Sequence, residues 1–574
     1  MTDARINPWW KANKTDLPAE LAKRMKVLER LTYEQRADNL LFINIAANFN
    51  PNGAGAYGSL YTLTSKNKIR RNLASAGVRL LSSLVTASRT LPVYSTTGAD
   101  WETRRKAEQK ARVIHAQMIQ LGAFALGDQA VTDASHVGDG FTMGILDPET
   151  GKPKLVRALP NSVFTDAAEG RDPRSLYWEH FLPRETLMEH HGKEKLAESA
   201  GPSPEDYDTF LLRKDDKTAD LVKVVEAWHL PIGTKPGRHV VATNNCLLID
   251  EEWNLPRFPC AVMRYEDRIV GWHGQGLVER LLPAQLRIAE LQRFVDRSQN
   301  AGSRPTWLVE ENSNLTADDI SNLEGQVLTY LGTAPQQVTW SGTPQDLVEE
   351  INRTWINALE QEGLNPSMAA GNLPQKSLNS GRAVRAADDV ATRPALGCIR
   401  KLEQYYLQVA QLLCDLNDLV AAADKNHEVF GYNFNGARAF LATSKWADLA
   451  LDEADARLSV LPMSALPSTL QARLATVSEL IAEGYVSRAQ ATALQEMPDY
   501  QAWQDSETAQ IDLVQWQIDR MLEGQDELPI PRQDYRLCVD EATKAYLVQY
   551  RSGAPQEVLD RLDAYITYAE DQLE

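Results

Sequence analysis

Long apolar runs are missing from this 574-residue chain. Although 43% of its residues are hydrophobic, no stretch approaches the ~20 unbroken apolar residues that cross a bilayer. Met1 to Trp10 is polar and holds no apolar signal core, so the expectation is a protein with no membrane partner, made and kept in the cytosol or in a particle assembled there. Cysteine is scarce as well. Cys246, Cys260, Cys398, Cys414 and Cys538 are odd in number and form neither a CxxC pair nor another metal-ligand spacing. Cys398 and Cys414 fall on one expected helix, ~24 Å apart, too far for a disulfide, so reduced and buried thiols are expected.

The signatures of catalysis are missing too. No GxxxxGK[ST] phosphate cradle exists, since Gly151-Lys152 and Gly192-Lys193 lack both the upstream Gly and the following Ser or Thr; that excludes ATP hydrolysis through a P-loop. HExxH and GxSxG are absent. Gly53-Ala54-Gly55-Ala56-Tyr57-Gly58 has the dinucleotide-binding spacing, but Asn48-Phe49-Asn50-Pro51-Asn52 ahead of it is no strand, which makes a loop the expectation. His190 and His191 are adjacent, and on a helix would point about 100° apart, so they read as surface residues rather than metal ligands. No enzyme activity, metal or cofactor is expected.

Positive charge is the minority sign: 60 Lys and Arg stand against 78 Asp and Glu, a net charge of −18. That argues against a protein gripping nucleic acid along its outside, which needs clustered cations, but not against one that lets DNA slide past. Lys66, Lys68, Arg70 and Arg71 form one short basic cluster, read as a solvated helix start.

At this length several domains or layers are expected. Residues 1–20, with Trp9 and Trp10, read as an exposed tail or docking arm; amphipathic helices follow at 19–49, 66–90 and 101–128. From 139 to 265 the pattern turns to strands. Phe141–Leu146 and Lys154–Leu159 flank a turn, and Leu221–Trp228 and His239–Ala242 are further strands, an α+β arrangement without βαβ alternation.

From 276 helices dominate. Leu277, Leu281, Ala284, Ile288, Leu291 and Val295 make one stripe on a helix ~36 Å long, which Pro283 should kink or restart. Residues 304–342 form an insertion with strands at Pro305–Val309 and Gln326–Tyr330 and a short helix from Thr316. Thr343 and Pro344 then open a helix carrying Leu347, Val348, Ile351, Trp355 and Leu359, ending near Gly363. A Gly/Pro-containing loop follows over 364–381, long enough to suggest function. Beyond it Ile399, Leu402, Tyr406, Val409, Leu413, Leu416 and Val420 form a seam expected in a helix–helix contact. The C-terminal part is helical, notably Gln510–Met521 and Ala554–Leu573, with Ser468 and Ser487 as N-caps and Gly484 and Gly524 as stops.

This order of helix, small insertion, helix, Gly/Pro loop and long helix resembles the central region of the portal proteins of tailed bacteriophages. Phe258-Pro259, Met263-Arg264-Tyr265 and Gly274-Gln275-Gly276 through Pro283 are similar to that family's lead into its first stem helix. Asn365-Pro366 through Arg382-Ala383 resembles its tunnel loop. Leu466-Pro467-Ser468-Thr469 to Ser487, Gly138-Asp139-Gly140 and Pro160 to Asp166 add to the likeness, which spans about 40–500 and rests on shared order rather than on one diagnostic motif.

The resemblance implies a mainly helical α+β portal fold: wing 1–275, stem helix 276–301, clip 302–343, stem helix 344–363, tunnel loop 364–380, long kinked wing helix 381–424 and helical crown 425–574. It further implies a ring homo-oligomer, a dodecamer, in the virion at one capsid vertex, assembled in the host cytoplasm. Double-stranded DNA would pass through without sequence specificity. Large terminase, major capsid and scaffolding proteins, and head-completion or tail adaptor proteins would be the partners. Asn372, Gln375, Lys376, Ser377, Asn379, Arg382 and Arg385 would meet DNA at the tunnel loop, and Arg304, Trp307, Glu310, Asp318 and Asp319 would form the clip docking surface. Asp346, Glu349, Glu350, Glu360 and Glu362, against Arg353 alone, would give the second stem helix an acidic face that repels phosphate. The rival reading is a helical scaffold or adaptor of the virion with no DNA conduit.

Overall fold

The computed structural model describes residues 8–47, 71–86, 92–96, 101–147, 150–166, 170–192, 196, 199, 201, 220–303, 306–312, 331–334, 336–338, 345–364, 395–435, 438–451, 456–460, 510–511, 513–522 and 524–573. Among these the fold is mixed α+β with helix predominant.

The N-terminal helices are shorter than their apolar patterns suggest. Helix α1 (Leu17–Leu31) and α2 (Tyr33–Ala47) are separated at Thr32. Helix α3 (Leu73–Val85) follows, capped by Asn72, whose side chain accepts from Ser75 N at 2.9 Å. Strand β1 (Pro92–Thr96) leads to α4 (Trp101–Gln120) and α5 (Ala123–Val137), divided by Gly122 at φ 67°, a left-handed conformation that ends α4.

Strand β2 (Asp139–Leu146) pairs with β3 (Pro153–Ala158) from Phe141↔Ala158 to Leu146↔Pro153, the hairpin expected from the sequence. On its other side β2 pairs with β9 (Cys260–Arg264). A second, antiparallel sheet runs in the order β4 (Val163–Thr165), β5 (Ser175–Pro183), β6 (Leu221–His229), β7 (Gly237–Ala242) and β8 (Leu247–Trp253), with the short α6 (Arg184–His191) after β5. Its alternating side chains serve three cores, one of them Val222, Val224, Val241 and Leu248 packed with Leu187 of α6. Trp178, Trp228 and Trp253 pack towards Phe141 and Met143 of the smaller sheet, while Tyr177, Ala227 and Val240 pack on Leu21, Met25 and Leu28 of α1.

The N-terminal arm corrects an expectation. Trp9 is 1% exposed and its indole Nε1 donates to Tyr177 Oη at 2.8 Å; Trp10 stacks on His229 with ring centroids 4.0 Å apart. The sheet offers each ring an apolar face, and Tyr177 supplies the acceptor that a buried indole N–H needs.

Three long helices build the largest core with α3 and α5. Helix α7 (Leu277–Ser303) starts after the two-stranded hairpin β10 (Glu266–Asp267) and β11 (Gly274–Gln275). Strand β12 (Thr306–Leu308) pairs with β13 (Gln336–Val338), and α8 (Gln345–Gln361) and α9 (Leu396–Ala423) complete the set. Pro283 lies inside α7 and does not divide it. Leu277 and Leu281 before it and Ile288 and Leu291 after it are buried in one core, and that shared packing outweighs one missing backbone hydrogen bond.

The α9 seam meets the helices expected of it and a sheet as well. Leu402, Tyr406, Val409, Leu413 and Leu416 are buried, with β9 and β2 on one side and α4 and α5 on the other, so the contact is helix on sheet and helix on helix together. The approach is close. A Cβ on Gly144 of β2 would lie 2.6 Å from Leu412, and one on Gly127 of α5 would lie 2.4 Å from the Tyr406 hydroxyl.

The segment expected as one helical crown, 425–574, divides. The hairpin β14 (Glu428–Asn435) and β15 (Arg438–Lys445) packs on α4, and β16 (Ala456–Val460) pairs with β1, so this stretch belongs to the body of the fold. Residues 513–522, α10 (Tyr535–Ser552) and α11 (Gln556–Asp571) then form a separate helical unit around Met521, Cys538, Leu562 and Tyr565. Trp101 of α4 packs on this unit and donates to Gln549 Oε1 at 2.6 Å. All five cysteines are free, and Cys398 and Cys414 share α9.

Candidate functional site

The α7–α8 helix pair carries the residues on which the sequence reading placed most weight. The two helices run antiparallel: Arg280 near the start of α7 meets Glu362 just beyond the end of α8, and the Leu308↔Gln336 pairing joins the chain at the opposite end. At 27 residues α7 is ~40 Å long, against ~26 Å for the 17 residues of α8. Ile351, Ala358 and Leu359 bury the inner side of α8 against Leu281 and its neighbours.

On the outer side of α8 the helical turn gathers Asp346, Glu349, Arg353 and Glu360 within about 60° of arc, all exposed. Glu350 lies off this ridge and is ion-paired with Arg353. Glu362 departs furthest from the acidic face expected for it. Its side chain is 9% exposed, accepts from Arg280 Nε at 2.9 Å and lies 3.5 Å from the Tyr265 hydroxyl, while Arg280 also pairs with Glu266. Burial, then the charge of Glu362, push the Tyr265 hydroxyl well above the ordinary tyrosine range. Glu362 thus ties the end of α8 to the segment leading into α7.

That lead-in is pinned by two glycine motifs far apart in sequence. Asp139, buried between Gly138 and Gly140, accepts from Gly274 N at 3.0 Å; His273 Nδ1 lies 2.9 Å and Arg264 Nε 3.3 Å from its carboxylate. A Cβ on Gly138 would sit 2.4 Å from Gly274 O, one on Gly140 2.2 Å from Ala130 O, and one on Gly276 2.7 Å from His136 O. Only glycine allows α5, β2 and the start of α7 to approach this closely.

Four large apolar side chains stay exposed on the pair: Leu286 at 52% and Phe294 at 47% on α7, Val348 at 38% and Ile356 at 43% on α8. Val348 was expected on the buried stripe; Leu286, Phe294 and Ile356 were not singled out, because each lies off the apolar stripe of its helix. Arg287, Arg293 and Arg297 share the exposed part of α7. Arg71 of the basic cluster donates to Asn352 Oδ1 at 2.6 Å; Lys66, Lys68 and Arg70 lie outside the described residues.

In the segment expected to form a clip, Trp307 stands in β12 opposite Gln337. Glu310 accepts from Thr333 N at 2.7 Å, a bond that holds its carboxyl below the usual range. Arg304, Asp318, Asp319, the expected strand Gln326–Tyr330 and the helix at Thr316 lie outside the described residues. So do Asn372, Gln375, Lys376, Ser377, Asn379, Arg382 and Arg385 of the expected tunnel loop, the expected caps Thr343, Pro344, Ser468 and Ser487, the expected stop Gly484, and the segment Gly53–Gly58.

Among the described residues no cluster of three or more His, Cys, Asp or Glu could hold a metal ion, and no helix is long and apolar enough to cross a membrane. No family model matches the chain, and no curated protein is similar to it.

Proposed function

We propose that this chain is the ring-forming subunit of a phage portal, a conduit through which duplex DNA enters and leaves a capsid. The observation that carries the reading is the α7–α8 pair itself: two antiparallel helices with a strand pair at their far end, an acidic ridge along α8 and apolar side chains left uncovered on both helices. Such side chains are stabilised when a neighbouring copy covers them, and a head-to-tail repeat of one contact closes into a ring. Leu286 and Phe294 of one copy would then meet Val348 and Ile356 of the next.

In that ring each copy adds Asp346, Glu349 and Glu360 to the wall of the bore. Like charge at close range keeps phosphate off the wall, so the duplex slides instead of sticking, and salt weakens the effect. Glu362 and Glu350 take structural parts, bonded to Arg280 and Arg353. The strand pair with Trp307 and Glu310 would dock the packaging terminase and later the head-completion and tail adaptor proteins. Capsid and scaffolding proteins would meet the wing, and the residues from Asn372 to Arg385 would approach DNA.

Negative-stain class averages of the purified full-length chain test the reading. A closed annulus with a bore wide enough for duplex DNA supports it. A monomer or an open filament overturns it and favours the scaffold or adaptor.

A further inference from the structure

A second feature lies away from the α7–α8 pair, in a cleft between α4 and the C-terminal helical unit. The cavity has a volume of about 310 Å³, room for on the order of ten waters. Arg104, Arg105 and Arg112 of α4 line one side and Arg551 of α10 the other; Glu108 and Asp519 are the acidic groups in the lining. Four guanidinium groups against two carboxylates reverse locally the sign of a chain whose net charge is −18.

The arginines are not equivalent. Arg105 is committed to structure: it donates to Leu522 O and lies over the Trp101 ring at 5.3 Å, holding α4 to the C-terminal unit. Arg104 and Arg551 form no ion pair with any described carboxylate. Arg104, Glu108 and Arg112 recur at spacings of four residues, and with Arg105 they occupy about 100° of the α4 surface, so all four face the cleft.

We propose that this cleft binds the phosphate backbone of duplex DNA. Arginine is the side chain whose planar fork matches phosphate oxygens, and a concave site with low-dielectric walls concentrates its field. Length selects a strand over a single anion. Arg104 and Arg112 are separated by ~12 Å along α4, farther than one phosphate group reaches, so the two suit different phosphates of one strand. The cleft does not need the ring, so this proposal and the portal reading fail separately: duplex binding tests one and ring images test the other.

Fluorescence anisotropy of the full-length protein with a labelled duplex, at about 50 mM salt, provides the test. The double variant Arg104→Gln/Arg551→Gln is expected to bind at least about tenfold more weakly, with the log–log salt slope reduced by about two. Glu108→Gln, which leaves every arginine in place, is expected to tighten binding. Absence of duplex binding by the wild type, or equal affinity across these variants, overturns the proposal. So does displacement by polyglutamate as effective as by unlabelled duplex, which would make the ligand an acidic peptide. Inorganic phosphate that competes beyond chloride of the same ionic strength would reduce the cleft to a small-anion site and overturn the strand assignment.

Discussion

Among individual residues, Asp139 and His239 show how buried charge is handled here. The Asp139 carboxylate is almost fully enclosed, and Arg264, His273 and the Gly274 amide all converge on it. Asp139→Ala would leave these donors facing an empty site, and is expected to lower stability by roughly 2–4 kcal/mol, read as a fall in the urea midpoint. Gly140→Ala forces a methyl group into the Ala130 carbonyl and should cost a further ~1–3 kcal/mol when made by itself in the wild type. A loss well below 1 kcal/mol in either variant would contradict the tight α5–β2–α7 junction.

His239 belongs to a row of alternating imidazole and carboxylate groups across the five-stranded sheet, in which burial pushes His180 below the usual histidine range. His180 Nε2 lies 3.6 Å from Glu226, Glu226 lies 3.7 Å from His239, and His239 Nδ1 lies 2.6 Å from Glu251. Burial pushes the His239 imidazole down, but Glu226 and Glu251 outweigh it and hold the group at about 9. A histidine raised in the folded state stabilises most below its ordinary value near 6.5, and loses that contribution as pH climbs through about 9. The melting temperature should therefore fall between about pH 6.5 and pH 9, and His239→Gln should flatten that fall. Burial holds the Glu179 carboxyl above its ordinary range, which acts in the same direction because ionisation at higher pH is resisted in the folded state. An unchanged slope in the His239 variant would show that other groups govern the pH response.

At the scale of elements, helix periodicity was the readable part. The expected spans 276–301 and 344–363 correspond to Leu277–Ser303 and Gln345–Gln361, because each helix carries a continuous apolar stripe and a turn-forming flank. Helix α10 lies in a stretch expected to be helical but was not singled out, and the β14–β15 hairpin was not foreseen. Tyr546, Leu547, Val548 and Tyr550 crowd one turn of α10 without a clear stripe, and Leu547, Val548 and Tyr550 remain exposed. In the hairpin, Asn433, Asn435 and Gly431 interrupt the usual β-branched signal, so pairing along the whole strand supplies the order that local preference lacks. If the exposed residues of α7 and α8 join copies, Phe294→Asp and Ile356→Asp should each shift the protein from ring to monomer in sedimentation while leaving its circular dichroism unchanged. A ring that persists in both variants would place the interface elsewhere.

Across the whole molecule, what sequence could establish was local. The absence of long apolar runs, the spacing of cysteines, the periodicity of single helices and strands, and the acids along α8 all follow from composition and period. Tertiary structure decided which of these features were free to act. It drew Trp9 into the sheet and bound Glu362 to Arg280, two groups whose local pattern suited an exposed role, and it added β9 and β2 to the helices that the α9 seam packs on. It also brought Arg104 and Arg551 to one cleft although 447 residues separate them. The physical reason is that side-chain direction repeats along a helix or strand and can be read from neighbours in sequence, whereas the partner of each face is chosen by the packing of distant segments.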